Sequence, residues 1–125
     1  MSTHHRIDYV ELPARDLDNT KQFFRDVFGW GFTDFGPDYT AFEDAGLMGG
    51  FFRDSQASRT DRGAALVVLY SRDLDQTQAQ VEAAGGRISK AIFSFPGGRR
   101  FQFFEPSGNE LAVWSDQGMD ESADQ

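Results

Sequence analysis

Residues 15–20 read RDLDNT and residues 72–77 read RDLDQT. Five of the six positions agree, at a constant offset of 57 (72 − 15). The flanks of both copies carry the same pattern. Before the first stands RIDYVELPA (6–14), where Val10 and Leu12 are set against Asp8 and Glu11. That alternation is a strand signal. Before the second stands GAALVVLYS (63–71), a continuous apolar run that reads as a buried strand. After the first copy, Leu17, Thr20, Phe24, Val27 and Phe28 recur at helical spacing, and Gly29 stands where a helix stops. After the second, Leu74, Thr77, Val81 and Ala84 do the same and run into Gly85–Gly86. Each hexapeptide is therefore a strand-to-helix junction. Asp16 and Asp73 are placed to cap the two helices, because a carboxylate there accepts orphan backbone N–H groups and complements the dipole.

Both helical stretches are followed by three β-like segments. After the first these are 29–35, 39–44 and 46–52; after the second they are 87–95, 99–105 and 110–116. FGPD, DAG, PGG and PSGN mark the turns between them. The expected fold class is α+β: two tandem βαβββ modules forming a curved, cup-shaped mixed β-sheet with helices on the outer face. One domain spans 1–116, with module one at 6–53, a polar linker at 54–63 and module two at 64–116. The segment 117–125 reads as a disordered acidic tail, because its composition has little apolar surface to bury.

Composition narrows the function. The 125-residue chain carries a net charge of −8 and no Cys. A thiolate metal site, a Cys nucleophile and a disulfide framework are thereby excluded. Nucleic acid is not an expected partner, since phosphate contacts call for a basic face. No apolar run approaches the length of a membrane span, so no membrane association is expected. MSTHHRID at the N-terminus lacks a signal-peptide stretch, and the expected location is cytoplasmic. The 13 Phe residues suit core packing and also an apolar ligand cavity.

A duplicated strand–helix–three-strand module of this length resembles the vicinal oxygen chelate superfamily, which includes glyoxalases, bleomycin resistance proteins and extradiol dioxygenases. ELPARDLDNTKQFFRDVFGWGF (11–32) resembles the family's opening strand, helix and exit, and FFEPSGNELAVW (103–114) resembles its closing turn and last strand. The resemblance implies a divalent metal in the cup, held by four His, Gln or Glu side chains from the first and fourth strands of each module. Carried over, those positions fall on Tyr9, on Val67 (or Leu66 in the other register), on Ala112 and within the GLMGG segment (46–50). None supplies a ligand suited to a hard or borderline cation. The expectation is a member lacking the usual metal ligands, with no metal and no cofactor. A shifted site using His5, Glu11 and Glu110 is the alternative.

With the cavity face taken as the parity of those positions, it should show Ile7, Tyr9, Glu11, Val67, Leu69, Glu110, Ala112 and Trp114. Phe51 or Phe52, Phe93, Phe95, Phe101 and Phe103 should add wall. The expected ligand-binding residues are Tyr9, Glu11, Val67, Phe93, Phe95, Phe103, Glu110 and Trp114. Glu11 is the candidate catalytic residue, as a general base whose carboxyl is raised by an apolar surround. Three functions compete: binding of a small, partly apolar molecule, a lyase or isomerase of the glyoxalase type, and a structural dimer whose cup is packed with Phe. A homodimer is expected in each case, since the sheet edges need cover.

Overall fold

The computed structural model of the chain describes residues 2–117. The acidic tail expected to be disordered lies outside the described residues from 118 onward. Both hexapeptides perform the same local task. Asp16 accepts a hydrogen bond from the Asn19 amide at 3.0 Å and opens α1 (Leu17–Phe28). Asp73 accepts from the Gln76 amide at 3.2 Å and opens α2 (Leu74–Ala83). The backbone angles at the two caps nearly coincide, with φ/ψ of −132/86 and −139/87. α1 stops at Gly29, whose φ of 72 lies in the left-handed region and lets its N–H reach the Arg25 and Phe24 carbonyls.

The first module comprises β1 (Tyr9–Ala14), α1, β2 (Gly31–Asp34), β3 (Tyr39–Glu43) and β4 (Met48–Arg53). The second comprises β5 (Val67–Tyr70), α2, β6 (Arg87–Phe95), β7 (Gly98–Phe104) and β8 (Glu110–Ser115). The sheets have the matching orders β1-β4-β3-β2 and β5-β8-β7-β6. β1 runs parallel to β4 and β5 to β8, and the other pairs are antiparallel. The fold is thus α+β with two tandem βαβββ modules. Its strands form two four-stranded sheets, with no strand pairing between them among the described residues. β5 is shorter than the apolar run around it, because the linker forms a 3₁₀ turn (Thr60–Arg62) that ends at Gly63 with φ of 84.

One core serves both modules. Leu12 and Ala14 of β1, Phe51 of β4, Phe101 and Phe103 of β7, and Leu111 and Val113 of β8 turn toward the helices and are buried. Phe24 stacks on Trp30 at 4.5 Å and on Phe51 at 5.5 Å between ring centroids. Its neighbour Phe23 crosses the module boundary and meets Phe103 at 5.7 Å.

The EPSGN turn (105–109) closes the boundary with polar groups. Thr20 donates from Oγ1 to Glu105 Oε2 at 2.8 Å and shares a hydrogen bond with Ser107 Oγ at 2.7 Å. Asn109 donates from Nδ2 to the Pro13 carbonyl at 2.6 Å, and its Oδ1 accepts from the Ser58 amide at 2.8 Å. Burial pushes the Glu105 carboxyl up to about 7, against the opposing pull of the Thr20, Asn109 and Ser107 donors. The folded value lies above the unfolded one, so the neutral form is favoured by folding. Stability from this group is full below about pH 4.5 and is lost as pH rises through about 7. Urea unfolding across that window should show wild type losing stability relative to Glu105→Gln, by on the order of 3 kcal/mol at 1.36 kcal/mol per unit. A pH-independent difference between the two would contradict the burial of an ionisable carboxyl there.

Candidate functional site

The face of each sheet turned away from the helices carries the candidate groups. In the first module the register aligns Tyr9 with Met48, Glu11 with Gly50, and Gly50 with Ala41. Tyr39 lies opposite Phe52 and folds back over this face. Its hydroxyl donates to Glu11 Oε2 at 2.9 Å and shares a 2.5 Å hydrogen bond with the Tyr9 hydroxyl. Gly50 makes this possible, because a Cβ there would overlap the Tyr39 hydroxyl and stand 2.6 Å from its Cζ and 2.7 Å from the Thr40 carbonyl. Gly49 likewise has no room for a side chain against Phe42 and the Val10 carbonyl. The GLMGG segment is thus a close-contact strand, as its glycines suggest.

Burial, then the hydrogen bonds with Tyr9 and Glu11, push the Tyr39 phenol well above its ordinary range. Tyr39 therefore stays protonated and acts as a donor at any physiological pH. With Tyr39 donating to Glu11, the Tyr9 hydroxyl can donate to Tyr39 and keep its own oxygen free to accept. The cluster is a short hydrogen-bonded relay ending at a carboxylate. A cavity of about 710 Å³ adjoins it, walled by Tyr9, Ala41, Leu47 and Met48.

In the second module Val68 aligns with Ala112, Tyr70 with Trp114, Arg100 with Trp114 and Gln102 with Ala112. Tyr70 meets Trp114 edge-on at 5.2 Å, and Phe95 lies 6.4 Å from Trp114. Phe93 lies beneath the Arg100 guanidinium at 5.2 Å. Glu110 also stands on this face, but its carboxylate is already engaged. It accepts from the Thr60 amide at 2.9 Å, Thr60 Oγ1 at 2.6 Å, Ser89 Oγ at 3.1 Å and Gln102 Nε2 at 3.1 Å. Burial alone would raise this carboxyl. The hydrogen bonds, those from Thr60 foremost, outweigh burial and hold it below the ordinary range.

Tyr9 and Glu11 are thus together, and Phe93, Phe95, Glu110 and Trp114 belong to the second module's face. Four expected face or wall residues do not: Val67, Leu69, Phe101 and Phe103. Val67 pairs with Leu111 and packs against the core, and Val68 takes the outward position. Leu66 shares the outward parity of Val68 and Tyr70, and Val67 does not. Phe103 is fully buried against Phe23, since alternation along β7 turns 101 and 103 inward. Phe101 and Leu69 go the same way, and of the Phe51–Phe52 pair only Phe52 faces outward. Tyr39, Arg100 and Gln102 escaped sequence reading. The duplication held a usable signal: Tyr39 opposes Phe52 as Arg100 opposes Trp114, so the two are equivalent positions.

The donor set does not suit a metal. Tyr9 is committed to Tyr39, Gly50 has no side chain, Ala112 offers a methyl group and Leu66 is apolar. His5, Glu11 and Glu110 are not brought together: no cluster of three or more His, Cys, Asp or Glu occurs among the described residues.

The family model for the Glyoxalase/Bleomycin resistance protein/Dioxygenase superfamily matches residues 6–113, and the chain belongs to that superfamily. It is 27% identical over 133 residues to a glyoxylase-like domain-containing protein of Didymella fabae, covering 94% of this chain and 99% of that one. Its fold is similar to a genomically encoded fosfomycin resistance protein from Listeria monocytogenes, with TM-score 0.74, 16% identity, and coverage of 90% of this chain and 94% of the other. It is also similar to a lactoylglutathione lyase from Agrobacterium tumefaciens, with TM-score 0.67, 23% identity, and coverage of 91% and 96%. Among the described residues no helix is long and apolar enough to cross a membrane.

Proposed function

We propose that the chain binds a small, partly apolar molecule on the outward faces of its sheets, without a metal. The observation that carries this reading is the Tyr9–Tyr39–Glu11 cluster, which fills with hydroxyls and a carboxylate the region where relatives would need metal ligands. The same faces expose Phe52, Val68, Tyr70 and Phe93, apolar surface suited to a ligand body. A second reading is a metal-independent lyase or isomerase. It is favoured by the relay itself, which can accept a proton at Glu11 from a substrate held at Tyr9. We also propose that the chain is cytoplasmic and a homodimer; the dimer is supported by the exposed Leu47 and Met48 and by the outer edges of β1 and β5, which are unpaired among the described residues. Light scattering should give twice the chain mass, and a monomer mass would contradict the dimer.

A thermal-shift screen of small aromatic and amphipathic compounds tests the binding reading. The best compound should raise Tm in the presence of a chelator, and Trp114→Ala should weaken it several-fold through lost stacking of about 1 kcal/mol. Glu11→Gln keeps the shape and removes the base. A binding protein loses modest affinity, whereas an enzyme loses turnover. A compound whose effect vanishes on chelation, together with about one divalent metal per chain by elemental analysis, would overturn the metal-free reading.

A further inference from the structure

We infer that Arg100 is an oxyanion receptor, so that the ligand of this site is a small anion: a carboxylate, sulfonate or phosphate ester on an aromatic or apolar body. The inference deepens the binding reading above and rests on it. It starts from a contrast between adjacent residues. Arg99 turns toward the helices and pairs with Asp75 at 3.2 Å. Arg53 and Arg59 pair with Asp38 and Asp61, each at 3.0 Å. Arg100 turns outward and has no carboxylate within ion-pair distance among the described residues. Its Nε, like that of Arg99, is buried without an acceptor among them, so the two differ in what their Nη2 atoms meet: a carboxylate for Arg99 and an amide oxygen for Arg100. A partly buried cation left unpaired is costly, and an oxyanion is the group that would offset that cost.

The guanidinium is also aimed. Its Nη2 donates to Gln102 Oε1 at 3.1 Å. Gln102 is 3% exposed, and its Nε2 donates to Glu110 Oε2 at 3.1 Å. Glu110 is ionised and accepts only, so the Gln102 amide must give it the NH₂ end and turn the carbonyl toward Arg100. Thr60 and Ser89 fix Glu110 in turn. The chain Glu110–Gln102–Arg100 thus holds the guanidinium in one orientation over Phe93, with Trp114 opposite Arg100 in the ladder. Gln102 and Glu110 are positioning residues, and Arg100 is the contact.

Two dyes separate charge from shape: anilinonaphthalene sulfonate, and phenylnaphthylamine as its uncharged counterpart. Fluorescence titrations of the full chain should show tighter binding of the sulfonate. Arg100→Gln should weaken the sulfonate about tenfold, a loss of about 1.4 kcal/mol, and leave the uncharged dye unchanged, which also controls for folding. Arg100→Lys should restore only part, since it keeps the charge and loses the fork. Gln102→Met should weaken the sulfonate less than Arg100→Gln does. Equal effects of Arg100→Gln on both dyes would overturn the inference while leaving the binding reading intact. A variant that binds both dyes normally but halves the mass in light scattering would overturn it too, by assigning Arg100 to a subunit interface. If neither dye binds wild type, the binding reading fails and the inference with it.

Discussion

Replacing Asn109 by Ala is expected to lower the stability of the chain by about 3 kcal/mol, the sum of two orphaned backbone groups at 1–3 kcal/mol each. The side chain is fully buried and serves both modules at once. Its Nδ2 satisfies the Pro13 carbonyl at the end of β1, and its Oδ1 satisfies the Ser58 amide in the linker. Ala removes both partners from a fully buried junction. Urea unfolding should show a lower midpoint with an unchanged slope, since the surface exposed on unfolding is the same. A loss below about 0.5 kcal/mol, the usual range for a surface change, would mean that the turn does not join the modules.

Phe24→Ala is expected to cost more, roughly 3–5 kcal/mol. The ring is fully buried and touches Phe23, Phe28, Trp30 and Phe51. Truncation removes its transfer energy and opens a cavity that surrounding rings, fixed on a helix and on strands, cannot collapse to fill. A domain of this size is stable by only about 5–15 kcal/mol, so the variant should melt well below wild type. The near-ultraviolet circular dichroism of Trp30, stacked on Phe24, should weaken with it. A variant with wild-type Tm would contradict the placement of Phe24 at the centre of the core.

Most of the fold was legible because its information is local and repeated. The cap at Asp16 needs only its own turn, and Asp73 repeats it. Strand parity carried less well, for a physical reason. A one-residue shift inverts every side chain, and in ALVVLY (65–70) apolar residues occupy both parities, so Val67 and Val68 could not be told apart. In β7 the load of Phe misled: Phe101 and Phe103 suited a ligand wall by chemistry, yet they face α1 and α2. The distance from Asp16 was enough to put Tyr9 on the outward face, and Glu11 shares its parity on β1. Tyr39 was not legible, because its contact with them spans 28 and 30 residues and depends on Gly50 leaving space beneath the ring. Arg100 is adjacent to Arg99 in sequence, and only alternation on β7 separates the two. The threonines of the two hexapeptides show the same limit. Thr77 bonds locally to Ser71 at 2.7 Å, whereas Thr20 reaches across the boundary to Glu105.

The central claim is that a small molecule binds on the outward faces without a metal. The most direct measurement is a crystal structure of the chain with phenylnaphthylamine bound, grown in the presence of a chelator. The account predicts dye density against Tyr9 and Phe52 or against Trp114 and Phe93, with the Tyr39–Glu11 hydrogen bond in place. Dye lodged instead in the crevice of about 420 Å³, against the core residues Val10, Leu12, Trp30 and Leu111, would contradict it.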